Sequence, residues 1–228
     1  MKKEIKILVG IAAAVIFAAV IGSYFYSNSV RNAKKPVSPG NSNKAAAGEL
    51  IRPDSPALGP ADAKVTLVEF YDPECEACAA FAPVVKKILK ENEGKMRLVT
   101  RYMPLHPNSA AAANFLEAAG EQGKYWQAME TLFAKQPEWG AKHGPAATAP
   151  GPNVPELFEK YAMEMGLDLN RVSSAIKENR YKEKIDRDKK DGQNLGVRRT
   201  PTFFVNGREL LRFGEPELRA LIDEEMNK

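Results

Sequence analysis

Cysteine and histidine are nearly absent from this chain, with two of each among 228 residues. That scarcity excludes two common designs. A disulfide framework uses several pairs that close long loops, whereas Cys75 and Cys78 are three apart and close a ring too short to restrict the unfolded chain. A structural zinc site wants four ligands, and His106 and His143 stand at no ligand spacing from the pair. Positive charge is scarce where a nucleic-acid surface would need it. Of the net +4, residues 1–49 carry seven Lys/Arg against two acids, and the remainder carries 26 against 27. A body so close to neutral offers no concentrated basic footprint, so nucleic acid is excluded as a partner. Internal repeats are missing as well.

What is present is enough for one well-buried domain with an appendage, at 44% hydrophobic and 27% charged residues. After Lys2, Lys3 and Lys6, residues 7–26 form an apolar run whose only clearly polar member is Ser23. Twenty such residues span a hydrocarbon core as a helix. The run continues through Tyr24, Phe25 and Tyr26, an interfacial aromatic belt that favours a retained signal anchor. A cleaved signal peptide is the competing reading, with Val20-Ile21-Gly22 at the inspected positions. No cysteine follows the run, which excludes lipoprotein processing. We read residues 1–26 as cytoplasmic n-region plus transmembrane helix and 27–49 as a flexible Ser/Asn/Pro/Gly/Ala linker. Residues 50–228 then form an extracytoplasmic domain at the cell membrane, or a released periplasmic one after cleavage, in an oxidising compartment.

Within that domain, Val65–Tyr71 reads as a central strand, broken by Asp72-Pro73-Glu74. A helix is expected from about Cys75 to Glu93-Gly94, with Phe81, Val84, Val85, Ile88 and Leu89 facing the core. A second strand, Met96–Tyr102, makes a strand-helix-strand unit of parallel type. Helical patterns follow at 108–121, 125–135, 154–165, 170–177 and 180–195, with a loop expected over 136–152. Thr202–Val205, the turn signal Asn206-Gly207 and Glu209–Leu211 predict a hairpin, and Glu215–Met226 a last helix. The fold class is α/β.

The stretch Leu67 to Cys78 resembles the active-site signature of the DsbA-like thiol-disulfide oxidoreductases of the thioredoxin superfamily. Four features carry the resemblance: Cys75-Glu76-Ala77-Cys78 itself, Glu69 six residues before the first cysteine, Pro83 eight residues after it, and Thr200-Pro201-Thr202-Phe203. Asp54–Ala63 is similar to the lead-in of the membrane-anchored branch. The resemblance implies a thioredoxin-like fold with a helical subdomain inserted at about 104–195, preceded by one transmembrane helix. It also implies a cis Pro201, with the Thr200 backbone facing Cys75 and pairing with a substrate peptide.

A CxxC motif on the first turn of a helix supplies an attacking thiol and a resolving one, here Cys75 and Cys78. Glu69 is expected beneath them, with a raised pKa, relaying the Cys78 proton. Glu74 and Glu76 place negative charge near Cys75, which predicts a raised thiol pKa and a less oxidising couple than that of relatives with Pro-His between the cysteines. Both histidines are expected at the surface, and Trp126 and Trp139 in the packing of the insertion. The expected function is dithiol oxidation of exported cysteine-containing proteins by a monomer, served by a membrane redox partner and needing no cofactor beyond its own disulfide. An envelope reductase or isomerase is the alternative. From another class, Cys75 and Cys78 could carry Cu(I), which two soft thiolates suffice to bind.

Overall fold

The computed structural model describes residues 47–141 and 153–228. The expected span at residues 7–26 and the linker up to residue 46 lie outside them, as does His143. Among the described residues no helix is long and apolar enough to cross a membrane.

The elements run in the order α1 (Ala47–Leu50), β1 (Ala57–Leu58), β2 (Val65–Tyr71), α2 (Glu76–Glu91), β3 (Met96–Tyr102), α3 (Ser109–Gly120), α4 (Tyr125–Ala134), α5 (Gln136–Trp139), α6 (Val154–Glu164), α7 (Leu169–Lys177), α8 (Lys182–Asn194), β4 (Thr202–Val205), β5 (Arg208–Glu209) and α9 (Glu215–Met226). The sheet order is β1-β3-β2-β4-β5, with β2 and β3 parallel and the other pairs antiparallel. This is a thioredoxin-like sheet with a helical insertion between β3 and β4.

Alternation along β2 and β3 sorts side chains to two faces. Val65, Leu67 and Leu98 pack with Phe81, Val85 and Ile88 of α2 and Leu218 and Ile222 of α9. Val68, Phe70 and Val99 lie on the opposite face with Leu50, Met103, Val197 and Phe204. A third cluster fills the insertion, where Trp139, Phe158, Tyr161 and Phe115 are fully buried. Trp126 packs against both the insertion core and the α2 core, so it joins the two layers.

Three expectations need correction. The chain is already helical at Ala47, inside the expected linker, because Leu50 is buried and Arg101 Nη1 binds the main-chain oxygens of Glu49 and Leu50 at 2.9 and 2.8 Å. Residues 136–139 form a helical turn rather than loop, held by Trp139 Nε1 donating to Leu132 O at 2.9 Å. The second hairpin strand is shorter than expected, ending at Glu209. Its turn does use positive φ at Asn206 (47°) and Gly207 (84°), the geometry that Asn-Gly adopts most readily.

On the second face, α8 comes close to the sheet at Gly192. A Cβ there would meet Phe70 Cδ1 at 3.0 Å and Met103 Sδ at 3.3 Å. This approach brings Asp188 and Asp191 to the fully buried Arg101, whose Nη2 reaches their carboxylates at 2.9 and 2.6 Å. Arg52 closes the network on Asp191 through two hydrogen bonds of 2.8 Å.

Candidate active site

The strand β2 ends at Tyr71, and a tight turn follows in which Cys75 N donates to Asp72 O at 3.0 Å. Cys75 is therefore the N-cap of α2, with extended φ/ψ (−74°, 119°), and Cys78 lies within the first helical turn. Free N–H groups at such an end and the positive end of the helix dipole favour a thiolate. Cys75 is 7% exposed and Cys78 fully buried. Across from them the Thr200–Pro201 peptide is cis, and Cys75 Sγ donates to Thr200 O at 3.4 Å. Glu69, Cys75, Cys78, Thr200 and Pro201 are thus brought to one place by β2, α2 and the segment leading into β4.

Their electrostatics differ sharply. A hydrogen bond from Cys78 lowers the Cys75 thiol pKa to about 6; Thr200 and the N–H groups of Cys78 and Ala77 assist, against burial. Burial, followed by the hydrogen bond to Cys75 and the charge of Glu69, holds the Cys78 thiol far above its ordinary value. Glu69 is 6% exposed and pushed up to about 8 by burial and then by Cys75. Its carboxyl accepts no hydrogen bond among the described residues. It lines an apolar cavity of about 480 Å³ between α2 and α4, with Ala79, Pro83, Trp126, Met129 and Phe133. An exposed pair, Lys86 Nζ to Glu130 Oε1 at 2.7 Å, also borders this cavity. Pro83 sits inside α2.

The expected rise of the Cys75 pKa is overturned. Glu76 is exposed, where water screens it. Glu74 is only 4% exposed, and its carboxylate is taken up elsewhere. It accepts from Asn108 N (2.6 Å), Asn108 Nδ2 (2.9 Å), Ser109 Oγ (3.4 Å) and Ala141 N (2.8 Å). Glu74 therefore satisfies the main-chain donor of Asn108 at the start of α3 and ties the active-site turn to the insertion.

The sequence marks Asp72 as a strand breaker and predicts His106 at the surface. Asp72 is fully buried, and its Oδ2 accepts Leu105 N at 2.7 Å, His106 N at 3.2 Å and the His106 ring Nδ1 at 2.7 Å. The only local signal was an acid two residues from another acid at a strand end, and its partners lie 33 and 34 positions away.

Comparison with known proteins agrees with this geometry. The family model described as Thioredoxin matches residues 52–224. A Na(+)/H(+) antiporter NhaA of Herminiimonas arsenicoxydans is 33% identical over 152 residues, 67% of this chain and 22% of the antiporter. An antiporter NhaA 1 of Salinispora arenicola is 37% identical over 154 residues, 66% of this chain and 21% of that protein. The chain spans about a fifth of the length of these curated relatives. Among solved structures, oxidised BdbD of Bacillus subtilis is 25% identical with a TM-score of 0.66, covering 76% of this chain and 94% of BdbD. A thioredoxin-like oxidoreductase of Silicibacter pomeroyi DSS-3, also at 25% and 0.66, covers 81% of this chain and 99% of its own. The α-DsbA1 of Wolbachia pipientis shares the fold at 22% identity and a TM-score of 0.65. The chain belongs to the thioredoxin family and is similar in fold to its DsbA-like thiol-disulfide oxidoreductases.

Proposed function

We propose that the protein is a dithiol oxidase of exported proteins, acting outside the cytoplasm as a monomer tethered through residues 7–26. The observation that carries the direction is the inequality of the two thiols, Cys75 lowered to about 6 and Cys78 raised. A stabilised Cys75 thiolate stabilises the reduced pair, which makes the disulfide a better oxidant.

Starting from the Cys75–Cys78 disulfide, a substrate thiolate attacks Cys75 Sγ, forms a mixed disulfide and expels Cys78 as thiolate. Glu69, largely protonated at neutral pH, supplies the proton that Cys78 takes up in its buried site. A second substrate thiolate then attacks the substrate sulfur of the mixed disulfide, and Cys75 leaves as thiolate. Two electrons pass from substrate to enzyme. A low leaving-group pKa accelerates that last step. Thr200, beside the cis bond, offers its main chain to an extended substrate, and Pro201 keeps an N–H from competing. A membrane redox partner restores the disulfide.

The antiport activity named for the long relatives is not carried to this chain, since the shared segment is about a fifth of their length. Trapping the in vivo state of Cys75 and Cys78 by alkylation tests the direction. A mostly disulfide form is expected, and a mostly dithiol form would establish the reductase or isomerase reading instead. Copper retained at one per chain, with no turnover of a dithiol peptide, would replace both by a Cu(I) carrier.

A further inference from the structure

We propose that His106 is a positioning residue for the Cys75 thiolate, an imidazolium held beside the motif by Asp72 rather than supplied from between the cysteines. The inference rests on the reading of Cys75 as the attacking and leaving sulfur.

Asp72 serves both partners. Its Oδ2 accepts the ring Nδ1 of His106 at 2.7 Å, while its main-chain oxygen accepts Cys75 N at 3.0 Å. Its Oδ1 accepts Glu74 N at 2.8 Å, so the whole turn from Asp72 to Cys75 is closed around the residue that holds the imidazole. The His106 side chain is 31% exposed and Asp72 is not exposed at all, so a partly exposed ring rests on a buried carboxylate. With Nδ1 committed to Asp72, Nε2 is the nitrogen left for solvent or substrate.

The charged groups acting on His106 are Asp72, Cys75 and Glu74, from the turn after β2. Burial alone would favour the neutral ring, but Asp72, then Cys75 and Glu74, outweigh it and raise the pKa above the usual value of 6.5. Glu74 is fixed in place by Asn108, Ser109 and Ala141, and Asp72 by three N–H groups besides the ring, so among the described residues no other cation pairs with either acid. His106 is thus the cation within a group of acids. Attraction is mutual, so a thiolate that keeps the ring protonated is itself kept ionised by the ring. The two charges coexist between about 6, where Cys75 ionises, and the raised pKa of His106.

The test follows alkylation of Cys75 by iodoacetamide from pH 4.5 to 8.5 in the reduced protein, mapped by mass spectrometry. His106→Asn keeps an N–H for Asp72 without the charge, and His106→Lys restores the charge. The expected result is an Asn variant about three- to tenfold slower near pH 6 and equal to wild type near pH 8, with the Lys variant within about twofold of wild type throughout. Superimposable profiles for wild type and His106→Asn overturn the inference, leaving His106 as a pin for residues 105–108. A deficit that Lys does not reduce overturns it also. An NMR titration of the His106 ring in the unmodified protein needs no variant: a higher pKa in the dithiol than in the disulfide form is expected, and equal values overturn the proposal. If Cys78 proves the faster thiol in wild type, the reading of Cys75 fails, whatever His106 does.

Discussion

Glu69 and Arg101 occupy neighbouring register positions in the sheet, Glu69 opposite Thr100 and Arg101 opposite Phe70, and they face opposite sides of it. Both are buried, yet their surroundings differ. Arg101 meets Asp188, Asp191 and two main-chain oxygens, and its guanidinium lies 5.4 Å from the Phe70 ring centroid. Glu69 meets carbon, a cavity and two thiols. A buried cation gripped by two carboxylates and two main-chain oxygens fixes geometry. A buried acid without partners is pushed towards its neutral form, which for Glu69 puts the change of charge near pH 8.

The largest effect expected from this contrast is on stability. Arg101→Met leaves Asp188 and Asp191 without their buried cation, and urea unfolding should show a loss of about 3–5 kcal/mol. A loss below about 1 kcal/mol would erase the contrast. Glu69→Gln, by comparison, should leave stability intact at low pH but change its pH dependence. Protonated Glu69 suits its site, so its contribution is fully present below the ordinary value of 4.5 and is lost as pH rises towards about 8. The reduced wild type should therefore lose stability relative to the variant by at most about 1.4 kcal/mol per pH unit across that window. A constant difference between the two would show that Glu69 stays in one state.

The same variant should slow dithiol oxidation near neutral pH by about tenfold or more, because a positioned proton donor is removed. Stopped-flow reduction of the disulfide by a dithiol peptide measures it. Smaller again, Glu76→Gln should change the Cys75 alkylation rate by less than about twofold, as befits an exposed charge. At the bottom of the scale, Lys86→Gln breaks an exposed ion pair and should cost about 0.5 kcal/mol or less.

What the sequence made legible follows the same division. The strands β2 and β3, the Asn206-Gly207 turn and α9 were readable because local alternation, turn chemistry and helical periodicity act over a few residues. Glu69 stood out as an acid in an apolar strand. Arg101 did not, although it is just as buried, because its partners Asp188 and Asp191 lie in a charged helix that looks solvated from composition alone. Glu74 was assigned the wrong effect for a related reason. Along the chain Glu74 stands next to Cys75, while Asn108 and Ala141, 34 and 67 positions on, hold its carboxylate. The short β1 was invisible because two residues hold no period, and Ala57 and Leu58 pair with Val99 and Leu98 through main-chain bonds that any side chain permits.

The grip of Arg101 on Glu49 O and Leu50 O has a mechanical meaning. A pull on the backbone at Glu49 and Leu50 would meet a guanidinium braced by two aspartates and pass into β3. The load is shared with Asp191 through Arg52, three residues further on. Arg101 lies one register position away from Glu69 and turns its gripping side chain to the opposite face of the sheet.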